Sequence, residues 1–496
     1  MKNNQECSDL TLNQPVSVIL SLNQRTNLYQ KFKSRIVHNP YLDRTLVSFQ
    51  GNKQVPFFWF KYREGFSERL VTYLLQTLKP QPGILLDPFS GVGSSLFTAS
   101  TLGWQTTGIE LLPVGIFATQ ARIIAQKINI ESLNIVISEL KKINFQNYYD
   151  KSFAFSHLAI TRGAFSSINE EQLVGYISYC HNFVANQDIR TLLIYSVFCI
   201  LEDISYTRKD GQYLRWDVRS GRSKGKNEFN KGEVLSFEDA IYRKLKQITS
   251  DFNISPIQLD LFGEQLKLQL TDQKSSLVKN LEPKIHEGSC LDILPTLPEN
   301  SIDCVITSPP YVNRYDYTRT YALELAFLGC SEEKVKHLRQ QMLSCTVENR
   351  EKRNYLQDYY TNRGRYQDFL RIDSTFKEQA ALQEVLTILD NYKKEGKLNN
   401  KNIARMVHNY FYEICFVIYE LARIVKSGGI IAMVNDNVRY AGEEIPVDLI
   451  LSDIAESFGL KTRYIWTLGR GKGNSSQQMG DHGRTELRKC VYIWEK

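Results

Sequence analysis

Two prolines stop a strand in this chain, and they restrict the fold more than any other feature. The apolar run Ile302 to Ile306 leads through Thr307 into Ser308-Pro309-Pro310-Tyr311. Proline offers no N–H to a sheet ladder, so the strand ends there. The carbonyls beside the prolines are then held rigid at the strand's carboxyl end, where open α/β sheets bind ligands. A hydroxyl, fixed carbonyls and a flat ring suit a planar group carrying an exocyclic amine. Taken alone, the same residues also fit a plain strand-ending turn.

A second motif lies far upstream. A short apolar strand, Ile84 to Asp87, ends in an acid, and Pro88-Phe89-Ser90-Gly91-Val92-Gly93 turns into a helix from Ser94 to Leu102. Glycines there let a ligand approach the backbone, and the helix start offers free N–H groups. The next strand, Gln105 to Glu110, also ends in an acid, a position that commonly grips ribose hydroxyls. The turn is not the G-x-G-x-x-G dinucleotide pattern. Asp87 suits a cationic amino group better than a pyrophosphate.

With both motifs in view, the chain resembles the DNA amino-methyltransferases that use S-adenosylmethionine. Asp87 to Ser95 is similar to their cofactor motif, and Thr307 to Tyr311 to their catalytic motif. Serine at position 308 resembles the enzymes that methylate N4 of cytosine. Trp59 to Ser67, with its following Leu70/Val71/Leu74/Leu75/Leu78 helix, resembles the segment that closes over the methionine end of the cofactor. Arg423 to Gly429, before strand Ile430 to Val434, resembles the approach to the family's fifth strand. The resemblance implies a Rossmann-like class I methyltransferase, α/β, with a mostly parallel seven-stranded sheet and two large insertions. It assigns catalysis to Ser308, Pro309, Pro310 and Tyr311. Cofactor binding falls to Phe66, Asp87, Phe89, Gly91, Gly93, Glu110 and Thr307, with Ser289, Cys290 and Asp292 after the third strand. Ser289 replaces the family's usual acid. Asp292 either substitutes for it or caps a helix, and Cys290 serves through its backbone N–H. Asp87 would meet the methionine ammonium and Glu110 the ribose. Carbon-5 cytosine enzymes use a Pro-Cys nucleophile, which this chain lacks, so no covalent intermediate is expected.

The seven strands are expected at Ile84–Asp87, Gln105–Glu110, Lys284–Glu287, Ile302–Thr307, Gly429–Val434, Thr462–Leu468 and Lys489–Trp494. They divide the 496 residues into an N-terminal extension (1–50), a cofactor half (51–114), an insertion (115–283), a catalytic half (284–315), a helical insertion (316–405) and C-terminal strands (406–496). Both insertions are too long for simple loops. The cofactor half precedes the catalytic half, as in the family's α-type order. Nine cysteines lie scattered without a CxxC or Cys/His cluster, which argues against metal and suits a reducing cytoplasm. The start lacks an apolar signal core, and no run of eighteen apolar residues predicts a membrane span.

A net charge of +7 permits nucleic-acid binding without demanding it. Between 208 and 226, seven basic residues outnumber two acidic ones. Arg208, Arg215, Arg219 and Arg222 suit phosphates there, and Tyr213 and Trp216 offer stacking faces. A solvated charged loop has the same composition. The Arg- and Tyr-rich stretch from Arg350 to Tyr366 rivals it as a DNA reader, and Arg314 follows the catalytic turn at the mouth of the site. The basic segment 469–478 either orders on DNA or is an exposed hairpin loop. The expected partner is double-stranded DNA; the chain carries no convincing nuclease motif, and the sequence leaves open whether a separate restriction endonuclease accompanies it. An N6-adenine enzyme, an RNA methyltransferase and a non-catalytic subunit with a relic fold stay open as alternatives.

Overall fold

The computed structural model describes residues 23–52, 55–210, 213–222, 228–252, 281–468 and 487–496. Its strands are β1 (Ile36–His38), β2 (Ile84–Asp87), β3 (Gln105–Glu110), β4 (Thr207–Asp210), β5 (Tyr213–Trp216), β6 (Lys284–Glu287), β7 (Ile302–Thr307), β8 (Val425–Asp436), β9 (Val438–Tyr440), β10 (Glu443–Ile445), β11 (Lys461–Thr467) and β12 (Lys489–Glu495). Eight of them form one sheet in the order β1-β11-β12-β8-β7-β2-β3-β6. All neighbours run parallel except β12, which is antiparallel to both β11 and β8.

Seven strands were expected, and the sheet has eight. The extra one is β1, at the edge, where Ile36 to His38 pair with Ile465 to Thr467. Three residues are too few to show a period-two pattern. Residues read as a mere extension therefore add a strand to the sheet.

Both faces of the sheet are covered, which is why its central strands are almost continuously apolar. Alternation sends successive residues to opposite sides. Val305 of β7, Ile431 and Met433 of β8, and Tyr492 and Trp494 of β12 enter one core. Cys304, Ile306, Ile430, Ala432, Val491 and Ile493 enter the other, against helix Glu68–Leu78 and Trp104. The helices after β7 do not form a separate body. Leu356, Tyr360, Phe369 and Phe376 share the first core with the long helix Ile403–Ile424. The residues between β3 and β6 build a third cluster around helices Ser167–Phe183 and Gln187–Ile204, which also takes in Trp59, Phe60 and Tyr321. Among the described residues no helix is long and apolar enough to cross a membrane.

Candidate active site

The carboxyl ends of β2, β3 and β7 meet at one cavity of about 820 Å³. The turn after β2 sets its floor. Gly91 and Gly93 hold φ of +53° and +76°, which side chains rarely adopt. A Cβ at Gly91 would stand 2.9 Å from a ring carbon of Tyr62. The amide of Gly91 donates to Glu110 Oε2 at 2.7 Å, and that of Leu112 donates to Oε1 at 2.7 Å. One carboxylate thus ties the turns after β2 and β3 together while facing the cavity. Burial pushes Glu110 up to about 7, against the pull of these N–H donors.

Phe89, Glu110, Ser289 and Cys290 line the cavity together with Ser308, Pro309, Pro310 and Tyr311. Ser289 caps the short helix Cys290–Ile293 and donates to the carbonyl of Gln341 at 3.1 Å. Ser308 Oγ donates to the Tyr311 hydroxyl at 3.3 Å. Burial, reinforced by nearby Asp436, holds the Tyr311 hydroxyl well above its ordinary value, so the ring stays neutral.

Other predicted residues lie elsewhere. Asp87 is 2% exposed and absent from the cavity wall. Its Oδ1 accepts from Phe89 N at 3.0 Å and Thr307 Oγ1 at 2.7 Å, and its Oδ2 accepts from Ser95 Oγ. Asp87 and Thr307 therefore brace β2 against β7 behind the cavity. Burial raises Asp87 to about 6. Gly91 and Gly93 shape the turn without forming the wall. Phe66 packs with Leu70, Leu74 and Trp104 because it stands beside the start of an amphipathic helix. Asp292 neither faces the cavity nor caps the helix: its side chain accepts from the Tyr355 hydroxyl.

The basic run is a β4–β5 hairpin rather than a loop where it is described. Alternation points Arg208 outward and Lys209 inward, so Lys209 is 2% exposed and paired with buried Glu324. Arg215 pairs with Asp210 at 3.2 Å and lies over Phe229. The Trp216 ring carries the Arg222 guanidinium 4.3 Å from its centroid. Arg219 grips buried Asp217 with two bonds, of 2.7 and 2.9 Å, and holds its carboxyl far below the usual range. None of these side chains reaches the cavity wall. Arg314, half-buried with φ of +68°, donates to Asn399. Lys224, Lys226 and segment 469–478 lie outside the described residues.

Sequence reasoning missed part of the wall. Glu64 and Tyr62 sit in a segment expected to close over the cofactor, but nothing local singled them out. Asp436 ends β8 and faces Lys489 across the antiparallel register, 2.8 Å apart. That pair lies beside the prolines only because β12 runs backwards. Among the described residues there is no cluster of three metal-binding side chains.

No protein-family model matches the chain. The type II methyltransferase M.AvaI, from Nostoc sp. and from Anabaena variabilis, is 43% identical over 472 residues, 95% of this chain and 92% of the relative. The type II methyltransferase M.BsoBI of Geobacillus stearothermophilus is 40% identical over 488 residues, with the same coverage. The chain belongs to the type II DNA methyltransferases. A match over 95% of the chain extends through most of the stretches 115–283 and 316–405, which the two motifs leave uncovered. In this methyltransferase the helices that bury Glu324 and shape the cavity mouth are thus part of the shared protein. Tyr315, Tyr317 and Gln341 bring them to the cavity itself.

Proposed function

We propose that this methyltransferase moves the methyl group of S-adenosylmethionine to the exocyclic N4 amine of a flipped cytosine in double-stranded DNA. One observation carries the reading: Ser308, Pro309 and Tyr311 line the same cavity as Glu110, Ser289 and Cys290. An amine site and a nucleoside site thus share one space. Serine, rather than an acid or amide, at the first position supports cytosine. The type II methyltransferase relatives support a restriction–modification setting; a separate endonuclease and a cytoplasmic location belong to the proposal alone.

The cofactor fits the donor set: a carboxylate on the β3 end for ribose hydroxyls, and backbone at Ser289 and Cys290 for the adenine. When bound it supplies an electrophilic methyl on a sulfonium. The protein's own residues do the positioning. A base inside a duplex is stacked and paired, so it must leave the helix to reach the cavity. Tyr311, neutral and half-buried, stacks on the extruded ring. Ser308 and the Pro309 carbonyl hold the amine and turn its lone pair out of conjugation. Serine is a poor base, so Ser308 orients without taking the proton, and water takes it after transfer. Alignment of this kind supplies much of the rate.

Nucleoside mass spectrometry of DNA methylated by the purified protein tests the reading. N4-methylcytosine is the expected product, and N6-methyladenine in its place overturns the assignment.

Glu110 makes binding pH-dependent. Ribose hydroxyls donate to the carboxylate, and burial means that this form is lost as pH falls through about 7. The ligand-bound state favours the ionised form, so affinity is full above that value and declines below it. Calorimetry with S-adenosylhomocysteine is expected to show Kd rising about tenfold per pH unit below the transition. Glu110→Gln flattens that profile.

A further inference from the structure

An acid that is to meet an ammonium group must be within its reach, and Asp87 is sealed. Its oxygens accept from Phe89 N, Thr307 and Ser95, it is 2% exposed, and unlike Glu110 it does not line the cavity. Three acids line the cavity among the described residues: Glu64, Glu110 and Asp436. Glu110 sits at the β3 end, where two backbone amides hold it. Asp436 is paired with Lys489 at 2.8 Å, beside Tyr311. We propose that Glu64 receives the ammonium of the cofactor's amino-acid end, in place of Asp87. This rests on the S-adenosylmethionine reading above.

The surroundings of Glu64 put it on the cofactor side. Its segment lies against the turn after β2: Tyr62 covers Gly91, and a Cβ at Gly65 would stand 3.6 Å from Ser94 Oγ. The Tyr62 hydroxyl is raised first by burial, then by the charges of Glu110 and Glu64, with smaller contributions from Tyr315 and Asp87. Glu64 is thus linked to the ribose acid by contacts that run through Tyr321, Tyr62 and Gly91.

Glu64 is also oriented in advance. The fully buried Tyr321 hydroxyl donates to Glu64 Oε2 and accepts the Arg63 amide at 3.1 Å. The Tyr321 ring stacks on Tyr62, 5.1 Å between centroids and 13° between planes. Burial raises Glu64, while the tyrosine hydroxyls and the charge of Lys209 pull it down. Lys209 is already committed to Glu324. A cation arriving in the cavity would complete the charge balance of this acid.

Calorimetry with two ligands separates the roles. S-adenosylhomocysteine carries the ammonium, whereas 5′-methylthioadenosine has the same nucleoside and thioether without the amino-acid end. Glu64→Gln keeps the shape and removes the charge. It is expected to weaken S-adenosylhomocysteine by about 10–100-fold, the scale of a charged hydrogen bond, and to leave 5′-methylthioadenosine within about twofold. Tyr321→Phe frees Glu64 without removing it and gives the same selective loss at smaller size, so the test holds if E64Q fails to fold. Equal loss of both ligands makes Glu64 merely structural, and no loss makes it irrelevant; either overturns the proposal. Selective loss in Asp87→Asn with none in E64Q returns the role to Asp87. Wild-type protein that binds neither ligand sinks the cofactor reading itself.

Discussion

Replacing Ser308 with alanine is expected to lower the rate of methyl transfer about 10²–10³-fold, the scale seen when one preorganised hydrogen-bonding group is removed at a reacting centre. Ser308 Oγ lines the cavity and lies 3.3 Å from the Tyr311 hydroxyl. Alanine preserves the strand end and both prolines, so the carbonyls stay in place. Only the hydroxyl proposed to orient the amine is lost. Single-turnover incorporation of a labelled methyl group measures the step. Affinity for S-adenosylhomocysteine should stay at the wild-type value, because Glu110 and the β2 turn are untouched. A rate within about fivefold of wild type would mean that the Pro309 carbonyl suffices and that serine does not select the base.

The largest effect on stability is expected at Lys209. Its ammonium pairs with Glu324, whose side chain is 1% exposed, and stands 3.6 Å from Glu202. It also lies 5.1 Å from the centroids of Phe60 and Tyr321. Lys209→Met keeps the apolar stem but leaves the buried Glu324 carboxylate without a cation, which costs about 3–5 kcal/mol. Urea denaturation measures the loss. The neighbouring Arg208→Ala changes a solvent-facing residue and should stay within about 0.5 kcal/mol. The double replacement Lys209→Met/Glu324→Leu should recover much of the loss, because desolvation of the pair disappears with it. If K209M alone costs less than about 1 kcal/mol, the pair behaves as a surface contact and its burial is irrelevant. Because Tyr321 also orients Glu64, a weakened Lys209 cluster should loosen the cavity wall as well.

The hairpin shows how far local pattern carries. Seven basic residues between 208 and 226 read as one cationic patch. In the fold Lys209 points inward, Arg219 neutralises Asp217, and Arg222 covers Trp216. Composition counts charges without saying where they point. The edge strand β1 escaped for a different reason, since its pairing with β11 joins residues hundreds of positions apart.

By itself the sequence determined the strand–turn–helix units, the order of the two motif halves and the turn that carries Ser308. Those follow from proline and glycine, whose backbone limits act within a few residues. Only the tertiary structure decided which acids face the cavity. Asp87 and Glu64 differ little as residues, but Thr307 and Ser95 close over one, while the other, bonded to Tyr321, lines the cavity. The antiparallel β12 likewise sets Lys489 beside Asp436. A side chain's exposure is set by neighbours from distant strands and helices, and no local pattern contains them.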